Sequence, residues 1–465
     1  MFDVIVIGGG ITGAGVLRDC ALRGLRCLLL DKGRAGCATT AASTHLIHGG
    51  LRYLLYDRLT THTTCWDSGN IVRIARGLVT RLPIVWPVYR GHRHGLETVE
   101  TLLESYDGFQ RMKLGRPHLR LSAAETLRLL PALAPDGLRG SLVFDEWWVD
   151  PVALVRANLD SARRAGAEVR EGARVSGLLR EGGRVAGVAL DGGERLEARL
   201  VLNAAGPWVE RVAALAELHI PLRLQRGTHL VYPPLPELTA SGRPLGLLLE
   251  AQGGDRYVFV VPLGREVFVG PTDIAYCGDP DALASTEEEA RYLYASARRY
   301  LPLPQAFAGT VVGARPILAQ AGSEKLLSRE YEVLDHEARD GAAGFATIAG
   351  GKLSDFRLMA QDAADLACRR LGKGEACRTS LERLDGSAVG AIPYFPPPPR
   401  LLKRFLRRHP RLRELHALGH LGVQFARHLA GRALGGLQEA SLEDFQRHYG
   451  QEPEPLLENP ISSSS

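Results

Sequence analysis

The chain has 465 residues, of which 45% are hydrophobic and 23% are charged, close to the average for soluble globular proteins. This composition excludes a collagen-like protein, a wholly disordered protein and a small disulfide-linked protein. The 57 Lys and Arg against 52 Asp and Glu leave a net charge of +5, too small to indicate a nucleic-acid partner by itself. Seven cysteines are scattered without CxxC spacing, so the sequence predicts no metal site and favours a reducing compartment.

The first ten residues, MFDVIVIGGG, run from an apolar strand directly into glycines. A signal peptide would instead begin with a basic leader and end at a cleavage site, so none is expected. The sequence also lacks an apolar stretch of about 18 residues, so no membrane-spanning helix is expected. We therefore predict a cytoplasmic protein, which leaves peripheral contact with the inner face of the cell membrane open.

Residues 2–31 predict one βαβ unit that binds a dinucleotide. A short apolar strand leads into the fingerprint Gly8-x-Gly10-x-x-Gly13, which opens a helix, and a second apolar strand ends at Asp31. In such a fingerprint Gly8 permits the tight turn, Gly10 lets the backbone approach a pyrophosphate, and Gly13 lets the helix pack closely on the strand. Asp31 lies 18 residues after Gly13, near the spacing expected for an acid that binds a ribose hydroxyl.

Two further features favour FAD over NAD as the cofactor. Small residues fill positions 38–44, after Asp31, where a nicotinamide-binding protein would continue with another βαβ unit. The strand-like run 199–203 leads into the motif NAAGPW at 203–208, which is remote from the fingerprint in sequence. A tightly held flavin commonly collects loops from several remote segments of the chain, and we therefore predict FAD.

The rest of the chain predicts an antiparallel sheet and several helices. Segments of β-type composition, which predict antiparallel strands, lie at 227–232, 256–262 and 266–270. Helical spacing occurs at 151–165 and 354–371. The run Pro396–Pro399 predicts a stiff linker, followed by a helical region over 400–448 and a disordered tail at Ser462–Ser465.

Six motifs follow one another along the chain, namely LIHGGLRYL at 46–54, VD at 149–150, GTH at 227–229, GPTD at 270–273, GARP at 313–316 and GGKLSDFR at 350–357. Over about residues 1–375 the chain thereby resembles the FAD-dependent glycerol-3-phosphate dehydrogenase family, within the D-amino-acid-oxidase-like FAD oxidoreductases. It departs from the family at His45, usually Lys or Asn, at Glu330, usually Asp, and at Ser354-Asp355-Phe356, usually Thr-Thr-Tyr.

The resemblance implies an α/β fold, α+β overall, with a Rossmann-type FAD-binding domain on a parallel sheet and a substrate domain on an antiparallel sheet. The expected FAD-binding domain is discontinuous and covers 1–74, 147–209 and 310–375. The expected substrate domain covers 75–146 and 210–309, followed by a linker at 376–399 and a short helical C-terminal region at 400–465. The implied reaction oxidises sn-glycerol 3-phosphate to dihydroxyacetone phosphate by hydride transfer to the flavin, with a quinone as the final acceptor.

The motifs also imply the residues of the site. The expected catalytic residues, which handle the proton or stabilise charge, are His48, His229, Arg315 and Lys352. The expected substrate ligands, chosen because guanidinium groups bind phosphate in a fork, are Arg52, Tyr53, Arg315 and Arg329. The expected cofactor ligands are Gly8, Gly10, Gly13, Asp31, Lys32, Ser43, Leu46, Val175, Ala205, Gly206, Gly351 and Lys352.

The segment 400–415 begins with a basic run. From Arg400 to Arg413 there are seven Lys and Arg and no acidic residue, with several leucines between them. One interpretation is a basic amphipathic surface for anionic lipid. The other is a helical subdomain with a solvated basic face. Nucleic-acid binding is not expected, because the run lacks interleaved aromatic residues.

Two other functions stay open from the sequence. The first is a related FAD-dependent oxidase or dehydrogenase of another hydroxy acid or amine, a substrate that would not need Arg52, Arg315 and Arg329 together. The second is a non-catalytic flavoprotein, which the departures at His45 and in the SDF segment leave open.

Overall fold

The computed structural model describes residues 1–240, 243–318, 331–373, 375–390, 409–433 and 439–450. Several sequence predictions lie outside these residues, namely the substrate ligand Arg329, most of the basic run at 400–408, the linker Pro396–Pro399 and the tail Ser462–Ser465. Within the described ranges, no helix combines the length and the apolar character needed to cross a membrane.

The strands are labelled in chain order. In the described ranges they are β1 (Phe2–Ile7), β2 (Cys27–Leu30), β3 (Leu46–Ile47), β4 (Val79–Tyr89), β5 (Leu119–Ser122), β6 (Leu138–Val149), β7 (Glu168–Arg170), β8 (Val175–Glu181), β9 (Arg184–Leu190), β10 (Arg195–Asn203), β11 (Leu222–Tyr232), β12 (Thr239–Ala240), β13 (Arg243–Pro244), β14 (Gly246–Glu250), β15 (Tyr257–Pro262), β16 (Val267–Gly270), β17 (Ile274–Tyr276), β18 (Gly309–Leu318), β19 (Tyr331–Asp335) and β20 (Phe345–Gly350).

The α-helices are labelled in the same way. They are α1 (Ile11–Leu22), α2 (Arg58–Ile74), α3 (Leu96–Gln110), α4 (Ala123–Leu129), α5 (Pro151–Arg164), α6 (Val209–Ala214), α7 (Glu287–Arg298), α8 (His336–Asp340), α9 (Phe356–Leu371), α10 (Pro410–Ala433) and α11 (Leu442–Tyr449). Short 3-10 helices that carry predicted site motifs lie at Leu51–Leu55, Gly206–Trp208 and Leu353–Asp355.

The first sheet contains the predicted βαβ unit. Its parallel strands lie in the order β7-β2-β1-β10-β20, and β19 pairs with β20 in the antiparallel direction at one edge. Both faces are covered, as a parallel sheet of apolar strands requires. Helices α1, α5 and α9 pack together on one face, whereas β8, β9 and α6 cover the other. The predicted strand–helix–strand unit at 2–31 and the predicted parallel sheet are confirmed.

The second sheet is mainly antiparallel. Its main order is β17-β11-β16-β15-β14-β4-β6-β3, with β18 paired to β11 and β5 paired to β6. The three strands predicted from composition correspond to β11, β15 and β16, whose mutual pairing is antiparallel as expected. The long pair β4 and β6, in register from Val79↔Val149 onwards, was not predicted, because α3 and α4 separate the two strands in sequence.

The described part of the C-terminal region is helical, as predicted. Helix α10 packs on α3, and α11 buries Phe445 and Tyr449. The Tyr449 hydroxyl donates to Oδ1 of Asp145 in β6 at 2.8 Å, which ties the last helix to the second sheet. The domain boundaries stay a prediction. Strands β3 and β18 belong to the second sheet, although both ranges were predicted for the FAD-binding domain.

Candidate active site

A cavity of about 840 Å³ lies where the carboxyl ends of the parallel strands meet the second sheet. Gly8, Asp31, Ala204 and Gly351, which follow β1, β2, β10 and β20, line one part of it. The other part is lined by residues of β11 and β18. Ligands of open α/β sheets bind at this carboxyl edge, because the loops and helix N-termini open there.

Most of the predicted site residues meet in this cavity. Those that line it are Gly8, Gly10, Asp31, Lys32, Ser43, Leu46, His48, Val175, Ala205, Gly206, His229, Arg315, Gly351 and Lys352. Three do not line it: Gly13 packs beneath the first turn, and Arg52 and Tyr53 lie on the 3-10 helix Leu51–Leu55, where Arg52 is exposed and Tyr53 is buried. The individual roles of all these residues stay predictions.

The fingerprint glycines form a backbone cradle at the start of α1. A Cβ on Gly13 would lie 1.8 Å from the carbonyl oxygen of Gly8, so close helix–strand packing requires glycine there. Gly8 has φ +105°, and a Cβ on it would lie 2.7 Å from the Ala204 carbonyl oxygen. Gly10 differs, because a Cβ there would meet only the Thr40 hydroxyl, at 3.4 Å. Gly10 therefore leaves open space at the helix N-terminus, where a phosphate group is favoured.

Asp31 and Lys32 are held at the end of β2. The Asp31 carboxylate accepts hydrogen bonds from the backbone N–H groups of Gly9, at 2.6 Å, and Gly33, at 2.7 Å. These bonds aim the carboxylate along the cavity wall beside the fingerprint loop. The Lys32 ammonium pairs with Asp281 and lies 3.9 Å from the centre of the Trp208 ring. The indole comes from the remote NAAGPW motif, which thus meets the β2 loop as predicted for a flavin site.

The backbone of His48 is fixed from two directions. Its N–H donates to the Ser354 hydroxyl at 2.9 Å, and its carbonyl accepts from the Ser68 hydroxyl at 3.0 Å. Ser354 stands where the family usually has Thr, so this departure preserves the hydroxyl that the contact uses. The next residue, Gly49, has no room for a side chain, since a Cβ would lie 2.1 Å from the Tyr106 hydroxyl.

His229 lies on β11 and is fully buried. Its Nε2 is 3.0 Å from the Thr44 hydroxyl, and its ring packs against Phe268. Burial, with a smaller contribution from the nearby Arg315 guanidinium, lowers the pKa of His229 to about 3. Among the described residues, Nδ1 has no hydrogen-bond partner. The buried imidazole is therefore neutral near pH 7.

Arg315 extends from β18 across the neighbouring strand β11. Gly227 makes room for it, because a Cβ at that position would lie 2.0 Å from Nη2 of Arg315. Nη1 and Nη2 each donate to the Thr272 carbonyl oxygen at 3.1 Å, and Nη1 lies 3.2 Å from Oδ1 of Asp273. The other Asp273 oxygen is 3.1 Å from Nη1 of Arg256. The glycine of the GTH motif therefore leaves the space that this guanidinium occupies.

Sequence reasoning missed two residues of this cluster. Asp273 stands in the GPTD motif, which was the available signal, but no role was given to it. Arg256 stands in no motif, and only its contact with Asp273 brings it to the Arg315 side of the site.

Lys352 lies between the two sheets, on the loop after β20. Its Nζ is 2.5 Å from the Thr64 hydroxyl of α2 and 2.7 Å from Oδ2 of Asp355. The ammonium also lies 4.8 Å from the centre of the Tyr53 ring. Tyr53 therefore contributes to the site through Lys352.

These features fit a flavin dinucleotide. The Gly10 turn offers backbone N–H groups and open space for a pyrophosphate. Asp31 offers carboxylate oxygens to a ribose. Apolar side chains of Leu46 and Ile348 with polar groups of His229 and Lys352 line the part of the cavity that would receive the ring system. Fold and site together define a Rossmann-type dinucleotide-binding oxidoreductase.

The chain belongs to the FAD dependent oxidoreductase family, whose model matches residues 3–355, and FAD is its cofactor. The aerobic glycerol-3-phosphate dehydrogenase of Staphylococcus epidermidis is 29% identical over 420 residues, which cover 85% of this chain and 72% of that protein. The resemblance seen in the sequence motifs is thereby confirmed.

Solved structures agree with the fold. The glycerol-3-phosphate dehydrogenase of Bacillus halodurans, complexed with FAD, is similar with a TM-score of 0.66 and 23% identity, over 97% of this chain and 83% of that chain. The L-alpha-glycerophosphate oxidase of Mycoplasma pneumoniae, with FAD bound, has a TM-score of 0.61 and 17% identity, over 85% of this chain and 99% of that chain. At these identities the likeness shows the fold alone.

Proposed function

We propose that this enzyme oxidises sn-glycerol 3-phosphate to dihydroxyacetone phosphate. The observation that carries the proposal is the guanidinium of Arg315, which lines the cavity close to His229. A phosphate substrate needs a fixed, forked cation of this kind, and the Thr272 carbonyl and Asp273 hold this one in place. The names of the curated relatives support the same substrate.

The phosphate end of the substrate is bound by Arg315 with help from its neighbours. Arg52, Tyr53 and Arg329 are proposed as further ligands on the strength of their motifs. Arg256 shares the Asp273 carboxylate with Arg315, so it adds positive charge to the same region. A dianionic phosphate is favoured where several guanidinium groups surround a single carboxylate.

Bound FAD would supply the two-electron acceptor for the hydride of the substrate's C2. The hydroxyl proton goes to His48, whose backbone is clamped by Ser354 and Ser68. His229 is the weaker base, because a pKa of about 3 means that its imidazole does not hold a proton near neutral pH. We assign His229 a hydrogen bond to the substrate oxygen instead. Lys352 stabilises negative charge that develops beside it.

The cofactor is held by the predicted ligands of the cradle. Residues that line the cavity, from Gly8 and Gly10 to Gly351, contact FAD, whereas Gly13 acts by allowing α1 to approach β1. We propose that the FAD-binding domain covers 1–74, 147–209 and 310–375 and that the substrate domain covers 75–146 and 210–309.

Electrons pass to a quinone at the inner face of the membrane, which the protein contacts peripherally through 400–415. The basic run there is continued by α10, which carries exposed Leu415, Leu418, Phe425 and Leu429 with exposed fractions of 65%, 59%, 39% and 46%. Apolar residues flanked by cations favour an anionic bilayer surface. Co-sedimentation with anionic vesicles should be lost in high salt, and binding that ignores lipid charge would contradict this assignment.

The substrate is tested by steady-state assays with an artificial dye as acceptor. The compared reductants are sn-glycerol 3-phosphate, glycerol, glycine and L-proline. We expect kcat/KM for sn-glycerol 3-phosphate to exceed that for glycerol at least about a hundredfold, since a charged, hydrogen-bonded phosphate is lost in glycerol. Faster turnover of glycine or proline would replace the proposed substrate by an amine.

A further inference from the structure

The GGKLSDFR motif contains a negative charge, at Asp355, that the FAD-dependent glycerol-3-phosphate dehydrogenases usually lack at this position. Asp355 stands where Thr is usual, and it pairs with Lys352 of the same motif, Oδ2 to Nζ at 2.7 Å. The side chains of Lys352 and Asp355 are only 9% and 7% exposed. A pair shielded to this degree is screened much less by salt than a surface pair.

The backbone holds Asp355 against Lys352. The Asp355 N–H donates to the Lys352 carbonyl at 3.0 Å, which closes the 3-10 turn at Leu353–Asp355. Gly351 has φ +90°, and a Cβ on it would lie 2.4 Å from the Met359 sulfur, so the loop has little freedom to move. Lys352 lines the cavity, whereas Asp355 lies behind it. The carboxylate therefore acts on the cavity through the ammonium.

Asp355 is costly to place where it is. Its Oδ1 is buried without a hydrogen-bond partner among the described residues. Burial raises the pKa of the neighbouring Asp67 carboxyl, and Arg357 lowers it. Asp355 lies close enough to Asp67 to raise that pKa as well. A buried carboxylate oxygen without a partner, next to a second carboxylate, destabilises a fold unless another contact compensates. The contact with Lys352 is the compensating one.

We propose that Asp355 is a positioning residue that fixes the Lys352 ammonium against Thr64 and Tyr53 and offsets part of its positive charge toward the cavity. The cavity wall of this enzyme is then less attractive to anions than one with an uncharged residue at position 355. Bound FAD gains negative charge on reduction, so a weaker positive field beside it lowers its reduction potential. This inference depends on FAD and not on the proposed substrate.

Asp355→Asn and Asp355→Thr test the proposal on the holoenzyme. Both remove the negative charge and leave Lys352 in place. Against wild type at one pH and low salt, the equilibrium for reduction of bound FAD should shift about tenfold toward the reduced form, equivalent to about +30 mV for a two-electron couple. Inorganic phosphate, titrated by its effect on the flavin spectrum, should bind about three- to tenfold more tightly. Neither measurement requires turnover, so both can be interpreted even if sn-glycerol 3-phosphate is not the substrate.

The controls separate charge from general damage. Asp355→Glu keeps the charge and should retain the wild-type potential. Asp365 lies on α9 and does not line the cavity, and its Oδ1 is 2.8 Å from Nη1 of Arg23. Asp365→Asn removes this ion pair and should change neither the reduction potential nor the phosphate affinity. In a Lys352→Met background, Asp355→Asn should shift the potential much less than in wild type. An unchanged potential and phosphate affinity in Asp355→Asn, or an equal shift in Asp365→Asn, would overturn the proposal. Thermal melting of each variant verifies that it is folded.

Discussion

The two ends of the cavity are built from different materials. At the end formed by β1, β2 and β10, a backbone turn depends on glycines at which a side chain would collide with a neighbouring carbonyl, as at Gly8 and Gly13, and Asp31 and Lys32 lie beside this turn. At the end formed by β11 and β18, the surface is made of charged and aromatic side chains such as Arg315 and His229. Backbone N–H groups do not titrate, whereas side-chain charges depend on pH, salt and each other.

This difference is what we expect if one end recognises a common part of the cofactor and the other end recognises the proposed substrate. A glycine turn at a helix N-terminus binds any pyrophosphate, because geometry and dipole suffice. Substrate choice requires that a specific set of groups be left unsatisfied when the wrong ligand binds. Substitutions at the two ends should therefore differ in the size of their effect and in the property that they change.

The largest effect is expected at the backbone end. Gly10→Leu should place a bulky side chain in the space reserved for the pyrophosphate and weaken FAD binding by more than about a hundredfold, since one lost charge-assisted contact costs about 1.5–3 kcal/mol and several are lost together. The protein should be purified colourless, and a titration of the apoprotein with FAD measures the loss.

Gly95→Leu is the matched control for this substitution. Gly10 and Gly95 are both N-cap residues with extended backbone, φ −67° and −73°, and neither has a side-chain cap. A Cβ on Gly95 would meet no atom within 4 Å. Gly95→Leu should therefore keep the flavin, and a yellow Gly10→Leu protein with full occupancy would show that this loop does not bind the pyrophosphate.

The next effect is expected at Arg315. Lysine cannot donate from two nitrogens to the Thr272 carbonyl while facing Asp273, so Arg315→Lys should cost about 1–3 kcal/mol of substrate binding. In kinetic terms, KM for sn-glycerol 3-phosphate should rise roughly tenfold to a hundredfold. The loss for glycerol should be smaller. Arg265→Lys, on an exposed turn, is the control. Equal losses for both substrates would place Arg315 away from the phosphate.

The sequence predicted the backbone end nearly completely. The spacing of Gly8, Gly10 and Gly13 and the acid at Asp31 are local patterns, because one turn and one strand determine where these residues lie. The antiparallel sheet was predicted only from short β-type segments, and β4 with β6 was missed, since their pairing joins segments far apart in sequence.

The side-chain end was predicted only through resemblance. Arg256 and Asp273 meet because β15 and the end of β16 lie side by side, and no local pattern reports this. The network beneath His48 was also missed. There Lys113 pairs with Glu146, and Oε2 of Glu146 accepts from the Gly49 N–H at 3.2 Å. A buried ion pair between β6 and the 3-10 turn Arg111–Lys113, which follows α3, leaves no periodic signal in either segment.

A smaller effect concerns stability at acid pH. The folded-state pKa of His229, about 3, lies below the ordinary value of 6.5, so the unfolded chain binds more protons between these limits. The stability that the neutral His229 imidazole contributes is present above pH 6.5 and is lost as the pH falls. At pH 5 the free energy of unfolding is lower by roughly 2 kcal/mol, because each pH unit below 6.5 costs about 1.36 kcal/mol. Urea unfolding of wild type and His229→Gln at pH 5 and 7.5 should show a shallower pH dependence for the variant. Parallel curves would contradict the burial of a neutral imidazole.

The last effect has the opposite pH dependence and lies outside the cavity. Burial alone would lower the pKa of His118, but the carboxylates of Asp107, hydrogen-bonded at 2.7 Å, and of Glu100, 3.9 Å away, raise it to about 9. This contribution is fully present below pH 6.5 and is lost as the pH rises through 9. His118→Gln should therefore reduce the free energy of unfolding at pH 6 more than at pH 10. A larger reduction at pH 10 would show that His118 is neutral in the folded protein.

The central claim is that the backbone end holds FAD and the side-chain end presents a phosphorylated alcohol to it. Anaerobic mixing of the holoenzyme with sn-glycerol 3-phosphate, followed by absorbance of the oxidised flavin, tests both ends together. The account predicts bleaching of the flavin with one dihydroxyacetone phosphate formed per FAD, and no bleaching with glycerol at the same concentration. A flavin that stays oxidised with sn-glycerol 3-phosphate but is reduced by an amine or another hydroxy acid would contradict it.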